Sequence, residues 1–150
     1  MSELRELYQQ VILDHNKNPR NFHPMADATR TAEGRNPLCG DEIKVYVRLH
    51  DDTIEDISFE GRGCAISKAS ASMMTMSLKG KSIADAERLF QSVHTMLAGS
   101  GDVEDEDETL GRLAALSGVR EFPVRVKCAS LGWHALKAAL DADTGPVSTE

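Results

Sequence analysis

Between Ile43 and Ile66 the chain changes its hydrophobic period, and that change limits what it can fold into more than any other feature. Ile43, Val45, Val47 and Leu49 alternate with Lys44, Tyr46 and Arg48; a turn follows at Asp51-Asp52, and Ile54 to Glu60 resumes the rhythm. A period of two puts successive side chains on opposite faces, so the segment predicts a β-hairpin with one apolar face. Asp56 interrupts the alternation between Ile54 and Ile57, and a bulge is expected there. After Gly61-Arg62-Gly63 the apolar residues Ile66, Ala69, Met73 and Met76 recur at helical spacing. Strand therefore gives way to helix at Cys64, which lies in or directly before the first turn.

The rest of the chain reads mainly as helix. Leu4, Leu7, Tyr8, Val11, Ile12 and His15 form an amphipathic stripe that should stop before Asn18-Pro19. Asn21 to Met25 reads as loop, and Ala28 to Gly34 as a weakly alternating edge strand. Ser82 with Asp85 resembles an N-terminal capping arrangement, and Ile83, Ala86, Leu89, Phe90, Val93, Met96 and Leu97 supply a broad apolar stripe ending at Gly99-Ser100-Gly101. The acidic stretch Asp102 to Glu108 reads as a solvated loop or first helical turn. A short helix is expected from Leu110 to Ser117. Pro123 suits the first turn of a last helix carrying Cys128, Leu131, Trp133, Leu136 and Leu140, with a frayed tail from about Asp141. Neither a repeat nor a linker is visible, so residues 1–150 are expected to form one domain.

Composition narrows the function. Acidic residues outnumber basic ones 24 to 17, for a net charge of −7, whereas a protein that tracks phosphates presents a clustered Lys/Arg face; nucleic acid is not an expected partner. Met1 to Tyr8 has no apolar core of a secretory signal, and no run approaches the ~20 apolar residues of a membrane span. A cytoplasmic protein is expected. Three cysteines in such a setting argue against a disulfide framework and for free thiols, a metal site or redox chemistry.

Cys39 lies in Asn36-Pro37-Leu38-Cys39-Gly40-Asp41, where Pro and Gly flank the thiol and a carboxylate follows two residues later. Cys64 stands at a helix start, whose dipole favours a thiolate. That effect is only about 0.3–1 kcal/mol, less than one pKa unit. A bound zinc ion would deprotonate the thiol outright. Three thiolates and a carboxylate make a plausible tetrahedral zinc set, and the same soft ligands suit an iron–sulfur cluster. The cysteines are widely and unevenly spaced, unlike paired Cys-x-x-Cys knuckles. Spacing leaves a shared metal site open beside three separately buried thiols acting as small hydrophobes.

Three segments carry a resemblance. Asn36-Pro37-Leu38-Cys39-Gly40-Asp41, Gly61-Arg62-Gly63-Cys64-Ala65-Ile66-Ser67 and Val126-Lys127-Cys128-Ala129-Ser130-Leu131 look, in order, like the three cysteine motifs of the IscU/NifU-type iron–sulfur assembly family, and the similarity runs from the N-terminal helix to about Leu140. The resemblance implies an α+β fold, a small antiparallel sheet of about three strands packed against several helices. It implies a metal site made by Cys39, Asp41, Cys64 and Cys128. Members of the IscU branch carry a histidine directly before the third cysteine, where this chain has Lys127, and a Leu-Pro-Pro-Val-Lys segment where this chain has Phe122-Pro123-Val124-Arg125-Val126. Lys127 and the insertion between Ser82 and Gly118 resemble the SufU branch. That resemblance implies a sulfurtransferase-type persulfide carrier, with zinc as cofactor, that takes sulfur from a SufS-type cysteine desulfurase, stimulates it, and works with other SUF cluster-assembly proteins. The alternative is a scaffold that binds iron and assembles a 2Fe–2S cluster on the same ligands. Cys39, in its Pro/Gly turn, is the expected sulfur acceptor; Cys64 and Cys128 are expected to be held rigidly.

Other candidates weigh less. His134 is about 240° around a helix from Cys128 at 100° per residue and should face elsewhere. His15, His23, His50 and His94 show no His-x-x-x-His pairing. Arg62, Arg125 and Lys127 flank the cysteine motifs and can serve as solvated counter-charges or as a docking rim. Met73, Met74 and Met76 read as core filling.

Overall fold

The computed structural model describes residues 2–36, 40–98, 116, 123–141 and 147–148, with only the backbone at 2–8, 98, 123–124 and 147–148. In chain order the elements are α1 (Ser2–Lys17), β1 (Arg30–Asn36), β2 (Asp41–His50), β3 (Thr53–Arg62), α2 (Ala65–Leu78), α3 (Ile83–Ala98), α4 (Pro123–Leu140) and β4 (Val147–Ser148). The sheet order is β3-β2-β1-β4. Three antiparallel strands with helices packed on them give the expected α+β fold. No helix among the described residues is long and apolar enough to cross a membrane.

The alternating residues do what their period dictates. Val45 pairs with Phe59 and Val47 with Ile57 across the hairpin, and these side chains, with Ile43, are fully buried or nearly so. They form one core with Ala71, Met74, Leu131, Trp133 and Leu136 of α2 and α4. Arg48 pairs with Asp56 but Leu49 with Ile54, so Glu55, not Asp56, is the extra residue of the bulge. The extra residue lets Ile54 and Ile57, three apart, both point inward.

Three further expectations change. β1 runs on to Asn36, beyond Gly34, because its register with β2 continues through Arg35↔Glu42 to Asn36↔Asp41; backbone pairing does not need an apolar side chain. Its other edge is met by β4, parallel, through Gly34↔Val147 and Arg35↔Ser148, where a frayed tail was expected. Met76 is 43% exposed: α2 is enclosed on most sides, and Met76 falls on the side that remains open. The cap at α3 is as expected, with the Asp85 backbone N–H donating to Ser82 Oγ at 3.1 Å. The acidic stretch and the turn at Gly99-Ser100-Gly101 lie outside the described residues; of the short helix only Leu116 is described, and it is fully buried.

α2 is serine-rich on its buried sides, and each of these hydroxyls is matched. Ser72 Oγ shares a 2.7 Å hydrogen bond with His15 Nδ1 and accepts the Arg20 N–H at 2.8 Å. Thr75 Oγ1 accepts from Asn21 Nδ2 and donates to the Ser72 carbonyl. Ser70 Oγ donates to the Ala129 carbonyl and accepts from Trp133 Nε1. α4 comes in very close: a Cβ on Gly132 would lie 3.2 Å from Ala71 Cβ, and one on Gly34 would lie 2.9 Å from Leu131 Cδ1.

Candidate metal centre

Three chain segments end at the same corner of the sheet. Asn36 closes β1 and Asp41 opens β2 as its register partner. β3 ends beside the start of β2, with Arg62 paired to Glu42, and Gly63 carries the chain to Cys64 and α2. α4 crosses above with Cys128 in its second turn. The outcome is that ligand atoms of Asp41, Cys64 and Cys128 all lie within 4.8 Å of one another. Cys39 lies outside the described residues.

Asp41 does two jobs at this corner. Its Oδ1 accepts the Cys64 backbone N–H at 2.8 Å, taking the place of an N-cap at the start of α2, where Cys64 makes no capping bond and no acidic residue stands in the first turn. Its Oδ2 lies 3.8 Å from Cys64 Sγ. Gly63 makes this approach possible: a Cβ there would fall 2.4 Å from Asp41 Oδ1 and 2.7 Å from Ser67 Oγ. The Cys64 sulfur also lies 3.9 Å from Ser67 Oγ, whose hydroxyl donates to the Cys64 carbonyl.

The donor chemistry fits a soft divalent ion. Asp41 and Cys128 are 1% and 2% exposed, while Cys64 is half-buried. No cation is paired with Asp41 among the described residues, and a buried carboxylate without a counter-charge is costly. Thiolates bound to tetrahedral zinc at ~2.3 Å stand roughly 3.7 Å apart. The group therefore needs to draw in by about 1 Å at its widest separation to hold such an ion.

Other sequence candidates fall elsewhere. Arg62 is mostly exposed and pairs with Glu42 at 3.6 Å; Arg125 is exposed and Lys127 half-buried on α4. His15 is buried against α2, and His23 and His50 are on the surface. His134 faces α3, its ring 5.5 Å from that of Phe90 and 6.3 Å from that of His94. Burial, and then the neighbouring His94, hold its pKa below the usual 6.5. None of these joins the metal-ligating group among the described residues.

Sequence reasoning passed over Asn36. It is fully buried, and its Nδ2 donates to Cys128 Sγ at 3.6 Å while its Oδ1 has no partner. Among the described residues only Arg48 Nε and Ser58 Oγ share that condition. An orphaned buried acceptor costs about 1–3 kcal/mol. Its signal in the sequence was its place three residues before Cys39, in the segment that also supplies Asp41.

Known proteins similar to this chain share one family and divide between sulfurtransferase and scaffold names. The family model described as NifU-like N terminal domain matches residues 7–129. The chain is 44% identical over 144 residues to the zinc-dependent sulfurtransferase SufU of Bacillus subtilis, covering 96% of each. It is 41% identical over 140 residues to the iron–sulfur cluster assembly scaffold protein IscU of Streptococcus pyogenes, covering 93% of this chain and 86% of that one. A crystal structure from Fervidobacterium islandicum, described as an iron–sulfur cluster assembly scaffold protein for the SUF system, superimposes with a TM-score of 0.82 at 34% identity, covering 91% of this chain and 98% of that one.

Proposed function

This chain belongs to the NifU-like N-terminal domain family, and from that premise we propose that it serves iron–sulfur cluster assembly as a zinc-dependent sulfur carrier, accepting persulfide sulfur from a SufS-type cysteine desulfurase in the cytoplasm. The observation that carries the reading is the meeting of Asp41, Cys64 and Cys128, from a strand start, a helix start and a helix body, within 4.8 Å. The relative named as a zinc-dependent sulfurtransferase supports it.

Asp41, Cys64, Cys128 and, by sequence, Cys39 would hold the ion. Bound zinc supplies the positive charge that keeps the thiols ionised and balances the buried carboxylate. Cys39 is the proposed acceptor. Its thiolate attacks the outer sulfur of the desulfurase persulfide, the sulfur–sulfur bond of that persulfide breaks, and the desulfurase cysteine leaves as a thiolate. Sulfur moves without net oxidation or reduction. The other two thiols suit this task less: Cys128 is almost wholly buried, and Cys64 is fixed where its backbone N–H bonds Asp41.

Desulfurase turnover with and without this protein tests the reading, together with metal and acid-labile sulfide analysis of anaerobically purified protein. Increased turnover with about one zinc per chain is expected. The scaffold alternative, favoured by the relatives named as scaffolds, wins if turnover is flat while iron and sulfide build a stable 2Fe–2S cluster. Mass spectrometry after brief incubation with desulfurase and cysteine under alkylation locates the sulfur; its presence mainly on the Cys64 or Cys128 peptide removes Cys39 as acceptor.

A further inference from the structure

Asn36 is the single fully buried side-chain amide among the described residues, and the one hydrogen bond given to its side chain goes to a sulfur. Its Nδ2 lies 3.6 Å from Cys128 Sγ, and its Oδ1 is left without a partner. A buried amide is costly to keep with its oxygen unmet, and the one hydrogen bond its side chain makes among the described residues is with the sulfur of Cys128. The amide stands at the last residue of β1, in register with Asp41, so the strand pairing that places one ligand also fixes the direction from which the N–H meets another.

We infer that Asn36 is a positioning residue for Cys128: its N–H binds a sulfur lone pair, turns the remaining lone pairs toward Asp41 and Cys64, and draws electron density from the thiolate. Outer hydrogen bonds of this kind orient metal ligands and tune their donor strength. A thiolate so held is a poorer nucleophile, which keeps Cys128 as a ligand while sulfur is taken up elsewhere. The inference rests on the metal-site reading but not on the desulfurase.

The test uses cobalt(II) and cadmium-113 as probes bound to the whole chain. Asn36→Ala should weaken cobalt retention about tenfold, the lower end for loss of an outer-shell partner, and should move the thiolate-to-cobalt charge-transfer band to longer wavelength, because the sulfur becomes a better electron donor. Asn36→Asp, nearly the same size, should shift the band in the same direction. A fall in affinity with an unmoved band overturns the inference, since loss of packing alone would do that. A measurement on the unmutated, nitrogen-15-labelled protein stands apart from any folding defect: scalar coupling between bound cadmium-113 and the Asn36 side-chain amide is expected, and its absence overturns the inference. A chain that takes up neither metal overturns the metal reading and this inference with it; one that takes up both, with band and coupling indifferent to Asn36, overturns this inference alone.

Discussion

Two sets of polar groups are buried against α2, and they differ in completeness. Along the body of the helix, Ser70, Ser72 and Thr75 exchange hydrogen bonds with Trp133, His15, Arg20 and Asn21. At its N-terminal end, Asn36 keeps an orphaned oxygen, and Asp41 is a buried carboxylate with no cation beside it among the described residues. The first set is finished by the chain itself and belongs to the fold. The second is left open: a bound ion would supply the charge that Asp41 lacks, while the Asn36 oxygen stays unmatched.

Removing the metal should separate the two most sharply. With free ion a thousandfold above its dissociation constant, binding stabilises by about 4 kcal/mol, or roughly 8–16 °C at ~2–4 °C per kcal/mol for a chain of this size. Calorimetry of zinc-loaded and chelated protein should show a fall of that order; an unchanged melting curve, with metal loss confirmed, would make the open set a mere irregularity of the core. Next in size, Asp41→Ala should lower metal affinity at least ~100-fold, or about 2.7 kcal/mol, since it removes a ligand and not an outer partner. In the metal-free form two effects oppose each other, relief of a buried charge and loss of the bond to the Cys64 N–H, about 0.5–2 kcal/mol for a cap, so melting should change far less than metal retention. Competition with a chromogenic chelator reads the affinity, and equal affinity removes Asp41 from the ligands.

Ser70→Ala should do the reverse. It strands the Trp133 indole N–H and removes the extra bond to the Ala129 carbonyl, which keeps its helical partner, at a cost of about 1–3 kcal/mol, equally with and without metal; a loss confined to the metal-bound form would join the two sets into one. The smallest effect concerns His134. Its pKa is lowered in the fold by burial and then by His94, so the unfolded chain takes up the proton more readily. Its contribution to stability is complete above pH ~6.5 and declines as pH falls from there toward the lowered value, then levels off. Urea titrations of metal-free protein between pH 5 and 7 should show a shallower decline in His134→Gln than in wild type. Identical slopes would mean that the ring is not desolvated in solution.

The β2–β3 hairpin and the start of α2 were legible because their side-chain period reports directly on which face is buried, and the period breaks at Cys64, where α2 begins. The end of β1 was not, since Arg35 and Asn36 carry no such signal; the partner strand sets their conformation. The same holds for β4, two residues tied by backbone pairing. Met76 was misjudged because a stripe is an average, and α2 is enclosed on more sides than one. For the site, the signal was the resemblance of the three cysteine motifs and not their spacing; Asp41, Cys64 and Cys128 lie within 4.8 Å of one another, and Cys39 lies outside the described residues. Asn36 escaped notice because a buried amide and a loop amide look alike in sequence.

The close seating of α4 acts as a gauge block for the site. A methyl group at Gly132 would press on Ala71 Cβ at 3.2 Å, and one at Gly34 on the end of the Leu131 side chain at 2.9 Å, and Cys128 rides one helical turn before Gly132 on the same helix. Tight interiors pass displacement along and do not absorb it. A shim of a few tenths of an ångström under the helix would therefore widen the jaw formed by Cys128, Cys64 and Asp41 without altering a ligand. A methyl group at either glycine is thus expected to change the size of ion that the site would accept.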